Sequence, residues 1–255
     1  MIWKTIGQSI IGTSHVAAGK VCDDANRYTV ITDTDGKEIL VAAICDGAGS
    51  AANAAFAANL TCEKVLEFAT HLVAHREELT EAQLYAMAED IYGALELEAA
   101  NMESPLNEYS CTLLGCIISE DKAAFFQIGD GAIIRYNTNE TYSTVWWPQN
   151  GEYHNSTSFL IDDPNLPDLR VVILDEGIDE LAIFTDGLQM LTLNMESQSV
   201  HAPFFTSLFR LLRMADSADK TELLNKRLAE YLDSTQINER TDDDKTLFLA
   251  TRLKG

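Results

Sequence analysis

The sequence predicts an α+β fold with antiparallel sheets, and three observations support this class. Strand-like apolar segments follow one another in hairpin-like runs, and helix-like segments come in pairs between those runs. A parallel sheet would instead need strands and helices in strict alternation. No stretch of linker-like composition interrupts the 255 residues. We therefore predict a single domain over residues 1–255, with helix pairs packed on the outside of the sheets.

The individual elements are predicted in chain order from hydrophobic periodicity and turn residues. Asp35-Gly36 is predicted as a hairpin turn, and Ser50 as the N-cap of the first long helix. The predicted strands cover residues 5–16, 27–45, 111–119, 123–129, 132–137, 169–174, 180–185 and 246–252. The predicted helices cover residues 51–73, 80–101, about 200–215 and 219–233, and a loop punctuated by prolines spans 148–168.

The composition is that of a globular protein with a large excess of acidic residues. The chain has 40 Asp and Glu against 18 Lys and Arg, a formal net charge of -22 at pH 7. Such a surface repels nucleic-acid backbones and anionic membranes, so we expect neither as a partner, whereas it suits a protein that collects cations. The five cysteines form no CxxC pair, which indicates a reducing compartment. Without a signal-like N-terminus or a long uninterrupted apolar run, we expect a cytoplasmic protein with no membrane span.

Three strand-like runs end in an Asp-Gly pair: VAAICDG at 41–47, FFQIGDG at 125–131 and LAIFTDG at 181–187. Asp-Gly is a strong hairpin signal, because glycine accommodates the positive φ of a tight turn. A strand-like segment follows Asp130, which favours a turn with a structural role there. A helix-like, Ala-rich segment follows Asp46, and no alternating return strand follows Asp186, so we interpret these two aspartates as more than turn residues.

Acidic side chains recur at the borders of apolar strands and tight turns, at Asp23-Asp24, Asp46, Asp186 and residues 242–244. Several carboxylates brought together without a cation repel one another, so either they lie apart or a metal holds them. Ligand sets made only of oxygen suit magnesium, manganese or calcium rather than zinc. Spacing along the chain leaves both alternatives open.

Six segments resemble, in this order, the successive motifs of the metal-dependent type 2C family of serine/threonine protein phosphatases. They are GKVCDDA, VAAICDGAGSAA, SCTLLGCII, FFQIGDGAII, LAIFTDGLQML and TDDDKTLFLATR. Each motif alone is weak evidence, but six in order are strong, and SHVAAGKVCDDA resembles the compact bacterial branch. The resemblance implies a four-layer α-β-β-α sandwich, with two central antiparallel sheets flanked by helix pairs.

The resemblance also implies a centre with two divalent cations, Mn²⁺ or Mg²⁺, that readies a water for direct attack on the phosphorus of a phosphoserine or phosphothreonine. The substrate is then a phosphoprotein, and a cognate kinase is its counterpart. The implied roles are Asp46 as the ligand shared by both ions, Gly47 as a carbonyl ligand, Asp186 and Asp243 as further ligands of the first ion, Asp23 near the second ion, and Asp24 beside the metal waters.

The match departs from the family at positions that carry function. Ala48 stands where many members have a histidine that protonates the leaving group, which makes His15 the substitute candidate for the catalytic acid. Gly19 stands where many relatives have a phosphate-binding arginine, and Lys20 is the cation beside it. Asn107 and Glu108 stand where some relatives place an aspartate for a third metal.

These departures keep a second function open, that of a catalytically silent member which binds a phosphoprotein as a regulator. Such a protein would be expected to lose at least one of Asp46, Asp186 and Asp243, and all three are present. The first function, a phosphoprotein phosphatase, is therefore favoured.

His71 and His75 lie four residues apart on a predicted helix, a spacing that can hold zinc. The segment HLVAH lacks a glutamate after its first histidine, and the sequence indicates no third ligand. We interpret the two histidines as part of a solvated helix face. DTDG at 33–36 lacks the later ligands of a calcium loop and is interpreted as a hairpin turn.

Overall fold

The computed structural model describes residues 2–137, 140–148 and 157–253. The strands are β1 (Lys4–Ile10), β2 (Ala25–Thr32), β3 (Glu38–Cys45), β4 (Leu113–Ile118), β5 (Ala123–Ile128), β6 (Ala132–Tyr136), β7 (Tyr142–Thr144), β8 (Arg170–Leu174), β9 (Glu180–Phe184), β10 (Leu193–Asn194), β11 (Ser199–Val200) and β12 (Lys245–Thr251). The helices are α1 (Thr13–Ala18), α2 (Ala54–His75), α3 (Glu81–Asn101), α4 (Gln189–Thr192), α5 (Ala202–Arg213), α6 (Ala218–Leu232) and α7 (Thr235–Asn238). Short 3₁₀ turns cover Leu106–Tyr109 and Asp186–Leu188.

The chain divides into two compact units that are interleaved along the sequence. We call residues 23–130 and 148–177 the central unit, and residues 1–22, 131–147 and 178–255 the terminal unit. Each unit has its own sheet and its own apolar core.

The described part of the central unit contains a five-stranded antiparallel sheet in the order β2-β3-β4-β5-β8. Helices α2 and α3 cover it with Ala, Val, Leu and Ile side chains, and their buried residues join those of the sheet in one core. Helix α3 begins with a capping box, in which Thr80 and Gln83 each satisfy the other's amide. Gly36, with φ of 79°, lies in the hairpin turn between β2 and β3, as predicted from the sequence for Asp35-Gly36.

The described part of the terminal unit contains a five-stranded antiparallel sheet in the order β1-β12-β9-β6-β7. Helices α5 and α6 pack on it around aromatic side chains, chiefly Phe184, Phe205 and Phe209. Every residue of strand β12 is buried, and strands flank it on both sides in the sheet.

The predicted α+β class, with two antiparallel sheets and a helix pair for each, is confirmed. The single domain predicted for residues 1–255 stays a prediction. None of the helices in the described ranges is long and apolar enough to cross a membrane.

Three local predictions were wrong, and several short elements were not predicted. Residues 13–18 form a short helix and not the end of a strand. The N-cap of α2 is Asn53, three residues after Ser50. Strand β7 had not been predicted. Asp130 does not close a hairpin, because β5 pairs with β4 and β8 whereas β6 pairs with β7 and β9. Part of the predicted loop at 148–168 lies outside the described residues.

Candidate metal centre

The central unit collects the first group of predicted site residues at one end of its sheet. Ala25 pairs with Cys45 in the β2–β3 ladder, so Asp24 and Asp46, the next residues outward on the two strands, lie at the same end. The Gly47 amide donates to the Asp23 carbonyl oxygen at 3.2 Å, which continues the same pairing by one more residue. Asp23 and Asp24 are buried, with 7% and 5% of their surfaces exposed.

Thr112 fixes the backbone of Asp46 in both directions. The Asp46 amide donates to Thr112 Oγ1 at 2.9 Å, and the Thr112 amide donates to the Asp46 carbonyl oxygen at 2.8 Å. Because both backbone groups are held, the carboxylate extends from a rigid strand end.

Gly47 occupies a position where a side chain does not fit. A Cβ there would lie 2.7 Å from the Asp23 carbonyl oxygen and 2.8 Å from the Ala54 Cβ. Glycine therefore lets the chain turn closely between the end of β3 and the start of α2.

Asp130, which was predicted as a turn residue, lies beside Asp46. A carboxylate oxygen of Asp130 and one of Asp46 lie within 4.8 Å of each other. Asp130 also accepts a hydrogen bond from Thr157 Oγ1 at 2.5 Å. Two carboxylates at this separation repel each other, and a bound cation removes that repulsion.

The second group of predicted site residues belongs to the terminal unit, where the register of β1, β12 and β9 brings the ends of these strands together. Ile10 pairs with Lys245, and Phe184 pairs with Leu247. The residues just after β1 and β9 and those just before β12 therefore share one end of the sheet. The backbones there are in close contact, since a Cβ on Gly187 would lie 2.0 Å from the Asp244 carbonyl oxygen and 3.5 Å from the Asp243 Cβ. Asp186 and Asp243 are thus neighbours within this unit.

Asp244 is a buried carboxylate that orients His15. Its Oδ1 accepts the Gly12 amide at 2.6 Å, and its Oδ2 lies 3.0 Å from His15 Nδ1. Only 3% of Asp244 is exposed, and the side chain of His15 is 13% exposed. With Nδ1 directed at Asp244, the second ring nitrogen, Nε2, is on the opposite side of the imidazole.

Gly19 ends α1 in the left-handed conformation, with φ of 68°. The amides of Gly19 and Lys20 donate to the carbonyls of Val16 and His15, which is the usual way that a C-terminal glycine closes a helix. An arginine at this position would be strained, which gives a physical reason for its absence. Lys20, the neighbouring cation, is exposed.

Glu108 accepts two hydrogen bonds that serve the fold. Its Oε2 accepts the Ala52 amide at 2.6 Å, and its carbonyl oxygen accepts the Asn53 amide at 2.9 Å. These bonds hold the segment that leads into α2, whose N-cap makes no side-chain cap of its own.

Burial changes the titration of two groups next to these carboxylates. It raises the pKa of Cys45, the residue before Asp46, well above 9.0, so Cys45 stays a neutral thiol. It also lowers the pKa of Lys245, the residue after Asp244, below 10.5, although nearby carboxylates, including Asp233 and Asp244, oppose that shift. Lys245 Nζ donates to Asn238 Oδ1 at 2.7 Å.

Each unit therefore presents carboxylates at one end of its sheet, close to the strand ends. The donors are oxygen atoms, the ligands that Mg²⁺ and Mn²⁺ prefer, so the residues fit the predicted cations.

Comparison with known proteins shows to which family this chain belongs. A sequence model of the family described as protein phosphatase 2C matches residues 11–233. The chain belongs to the protein phosphatase 2C family. A curated relative, serine/threonine-protein phosphatase 3 of Escherichia coli (strain K12), is 34% identical over 251 residues, which cover 98% of each chain. This 2C-family chain is accordingly a phosphatase, as the six ordered motifs predicted.

Solved structures show that the 2C-family fold is shared beyond the range of clear sequence similarity. Serine/threonine phosphatase Stp1 from Staphylococcus aureus superposes with a TM-score of 0.59 at 18% identity, over 100% of this chain and 96% of that chain. RsbX in complex with magnesium superposes with a TM-score of 0.57 at 14% identity, over 98% of this chain and 94% of that chain.

Two residues of these clusters, Asp130 and Asp244, were not assigned a site role from the sequence. The signal for Asp244 was its position directly before the last strand, at the end of the run Asp242-Asp243-Asp244. Asp130 was interpreted as a turn residue, because a hairpin turn and a ligand at a strand end can have the same Asp-Gly sequence.

Proposed function

We propose that this phosphatase removes phosphate from serine and threonine side chains of a cytoplasmic phosphoprotein, with two divalent cations, Mn²⁺ or Mg²⁺, and thereby opposes a cognate kinase. The observation that carries the proposal is Asp46, held at a strand end through both backbone groups, in a chain that is 34% identical to a serine/threonine phosphatase. The presence of magnesium in the RsbX structure supports the choice of cation. We also propose that residues 1–255 act as one phosphatase domain.

The ligand assignments are carried over from the family, residue by residue. When bound, the cations neutralise phosphoryl charge and lower the pKa of the attacking water. The proposed ligands are the Asp46 carboxylate, shared by both ions, the Gly47 carbonyl, the carboxylates of Asp186 and Asp243 on the first ion, and Asp23 near the second. Asp24 orients water beside them.

His15 is the proposed acid for the leaving group, in place of the histidine that Ala48 replaces. Support comes from Asp244, whose Oδ2 lies 3.0 Å from His15 Nδ1 and so places a buried carboxylate beside the imidazole. The serine or threonine oxygen of the substrate receives the proton as its bond to phosphorus breaks.

A silent regulator is the alternative that the sequence left open, since Ala48 and Gly19 replace residues that act in many relatives. The two candidates differ in hydrolysis itself. A regulator would bind phosphoprotein without releasing phosphate.

The test is hydrolysis of p-nitrophenyl phosphate with Mn²⁺, with a chelator, and with the Asp46→Asn variant. Loss of the shared ligand should lower kcat/KM by at least about a hundredfold. Asp35→Asn, in the exposed hairpin turn, is the matched control and should keep wild-type activity. Activity that persists in the chelator, or in Asp46→Asn, would overturn the metal mechanism, and a wild-type protein without turnover would favour the regulator.

A second series tests His15 by comparing leaving groups. His15→Ala should slow phenyl phosphate, whose leaving group needs a proton, more than p-nitrophenyl phosphate, whose leaving group does not. Equal effects on the two substrates would remove His15 as the acid.

A further inference from the structure

The C-terminal end of α2 brings together three side chains that the phosphatase reaction does not use. His71, His75 and Glu77 each offer one ligand atom, and these atoms lie within 4.8 Å of one another. The two imidazole rings stack with centroids 4.0 Å apart. All three residues are exposed, so a hydrated ion can reach them.

Hydrogen bonding puts His75 in the form that binds metals. His75 Nδ1 lies 2.9 Å from the His71 carbonyl oxygen. Since a carbonyl oxygen only accepts, Nδ1 carries the proton and Nε2 carries the lone pair. Metal-binding histidines commonly donate their other nitrogen to a carbonyl in this way, which also limits rotation of the ring.

The end of the helix supplies the third ligand, which lies beyond the segment HLVAH. Arg76 adopts the left-handed conformation, with φ of 56°, and the Glu77 amide then donates to the Leu72 carbonyl oxygen at 3.0 Å. This turn folds Glu77 back beside the last helical turn. Gln83 Nε2 donates to Glu77 Oε2 at 3.2 Å, which leaves Oε1 to face another partner.

The electrostatic environment favours a cation at this position. Helix α2 has 22 residues, and the carbonyl groups of its last turn give its C-terminal end a partial negative charge. The net charge of the chain, -22, adds a general attraction.

We propose that His71, His75 and Glu77 form a surface site for a divalent transition-metal ion, with Zn²⁺ or Ni²⁺ as the class that fits two imidazole nitrogens and one carboxylate oxygen. Nitrogen ligands select these ions over Mg²⁺ and Mn²⁺, so the site differs in chemistry from the carboxylate clusters. Three protein ligands leave at least one coordination position for water or another donor. The proposal does not depend on the mechanism of phosphate hydrolysis.

Calorimetric titration with Zn²⁺ in the presence of saturating Mn²⁺ tests the site. Mn²⁺ fills the oxygen ligands and competes weakly for imidazole, and because Zn²⁺ can also displace Mn²⁺ from carboxylates, the difference between wild type and the double histidine variant reports the histidines. Wild-type protein should bind one more equivalent of Zn²⁺ than the His71→Ala/His75→Ala variant. Glu77→Gln should weaken binding by about tenfold, in the range seen when a metal site loses a supporting group.

Co²⁺ gives an independent readout, because its visible absorption changes when imidazole enters the coordination shell. His201→Ala, another exposed histidine, is the matched control and should keep the full zinc stoichiometry and the Co²⁺ spectrum. Circular dichroism without zinc checks the fold, and Glu77→Gln keeps both imidazoles if the double variant does not fold. Equal zinc stoichiometry and affinity in wild type and the double variant, or loss of the extra equivalent in His201→Ala, would overturn the proposal.

Discussion

Thr112 acts on the phosphatase through the backbone of its neighbour. Its hydroxyl accepts the Asp46 amide, and its own amide donates to the Asp46 carbonyl, while only 1% of its surface is exposed. The hydroxyl therefore has a positioning role that a purely apolar core residue could not fill.

Thr112→Val should lower both stability and activity, because valine keeps the side-chain shape but leaves the Asp46 amide without its acceptor. We expect a loss of about 1–3 kcal/mol in the free energy of unfolding. Urea unfolding and p-nitrophenyl phosphate hydrolysis measure the two effects. Thr70→Val is the control, since the exposed Thr70 hydroxyl donates only to the Leu66 carbonyl one helical turn away. Equal losses for the two variants would contradict the assignment.

Tyr142 gives the terminal unit a specific dependence on alkaline pH. Its hydroxyl donates to Glu180 Oε2 at 2.9 Å, and the completely buried Glu180 is also paired with Arg213. Burial, together with the charge of Glu180, raises the pKa of Tyr142 above its ordinary value of 10.0. Above pH 10 the unfolded chain therefore loses this proton before the folded chain does, and folding stability falls as pH rises.

Comparison of wild type with Tyr142→Phe isolates this contribution. Near neutral pH the variant should be less stable by about 1 kcal/mol, because Glu180 loses a hydrogen-bond donor. Between pH 10 and 11.5 the difference in free energy of unfolding between wild type and variant should shrink by at most about 1.4 kcal/mol per pH unit. The reason is that wild type loses a pH-dependent stabilisation that the variant does not have. Urea unfolding at several pH values measures the gap. Parallel stability curves would disprove the role of Tyr142.

At the residue scale, the sequence identified carboxylates by where they stand relative to strands, and it missed groups whose role depends on distant partners. Asp46 and Asp186 were predicted as site residues because a helix signal, or the lack of a return strand, argued against a turn, and their roles stay predictions. Thr112 could not be recognised, since nothing local indicates that its hydroxyl meets a residue 66 positions away.

At the scale of elements, the turn after β9 and the start of β12 are packed backbone against backbone. Gly187 has no positive φ, so its importance lies in the close approach to the Asp244 carbonyl oxygen. Gly93, in the middle of α3, has free space around it, because a Cβ there would meet no atom within 4 Å beyond its chain neighbours and its own helix backbone.

Two glycine-to-alanine changes should therefore have opposite effects. Gly187→Ala should destabilise the protein by about 1–3 kcal/mol and reduce activity, because the Asp244 backbone and the turn that carries Asp186 must move apart to admit the methyl group. Gly93→Ala should stabilise it by about 0.5–1 kcal/mol, because alanine is the better helix former. Thermal and urea unfolding measure both. A Gly187→Ala variant with wild-type stability and activity would show that the contact is not tight.

Helices and strands were predictable where a clear apolar period extends over many residues. Helices α2 and α3 span 22 and 21 residues, so their apolar period is clear. Helix α1 has only 6 residues, fewer than two turns, and it depends on the close packing of Gly12 and the left-handed Gly19 at its ends. The partners of β5 and β6 depend on pairing with strands far away along the chain, which local patterns do not record.

At the scale of the whole molecule, the charge of -22 should influence which phosphoproteins are good substrates. Attraction raises the encounter rate of a cationic substrate and repulsion lowers that of an anionic one, and salt weakens both effects. The bias belongs to the protein as a whole and does not require a particular contact.

Phosphoserine peptides flanked by arginine should have a higher kcat/KM than peptides of the same length flanked by glutamate. The difference should shrink as NaCl rises from about 20 mM to 500 mM, because screening shortens the reach of the field. Phosphate release at low substrate concentration measures kcat/KM. A preference for glutamate, or one that is independent of salt, would show that local contacts dominate over net charge.

The interleaving of the two units has a consequence for synthesis. The last strand of the central unit, β8, is made well before β12, which must enter between β1 and β9. During translation, β1 cannot pair with β12 until β12 has been synthesised, and β12 is the last strand of the described residues. Asp243 lies just before β12. A chain that stops before β12 lacks the strand that joins β1 to β9 and also lacks the proposed ligand Asp243, so we expect such a chain to be inactive.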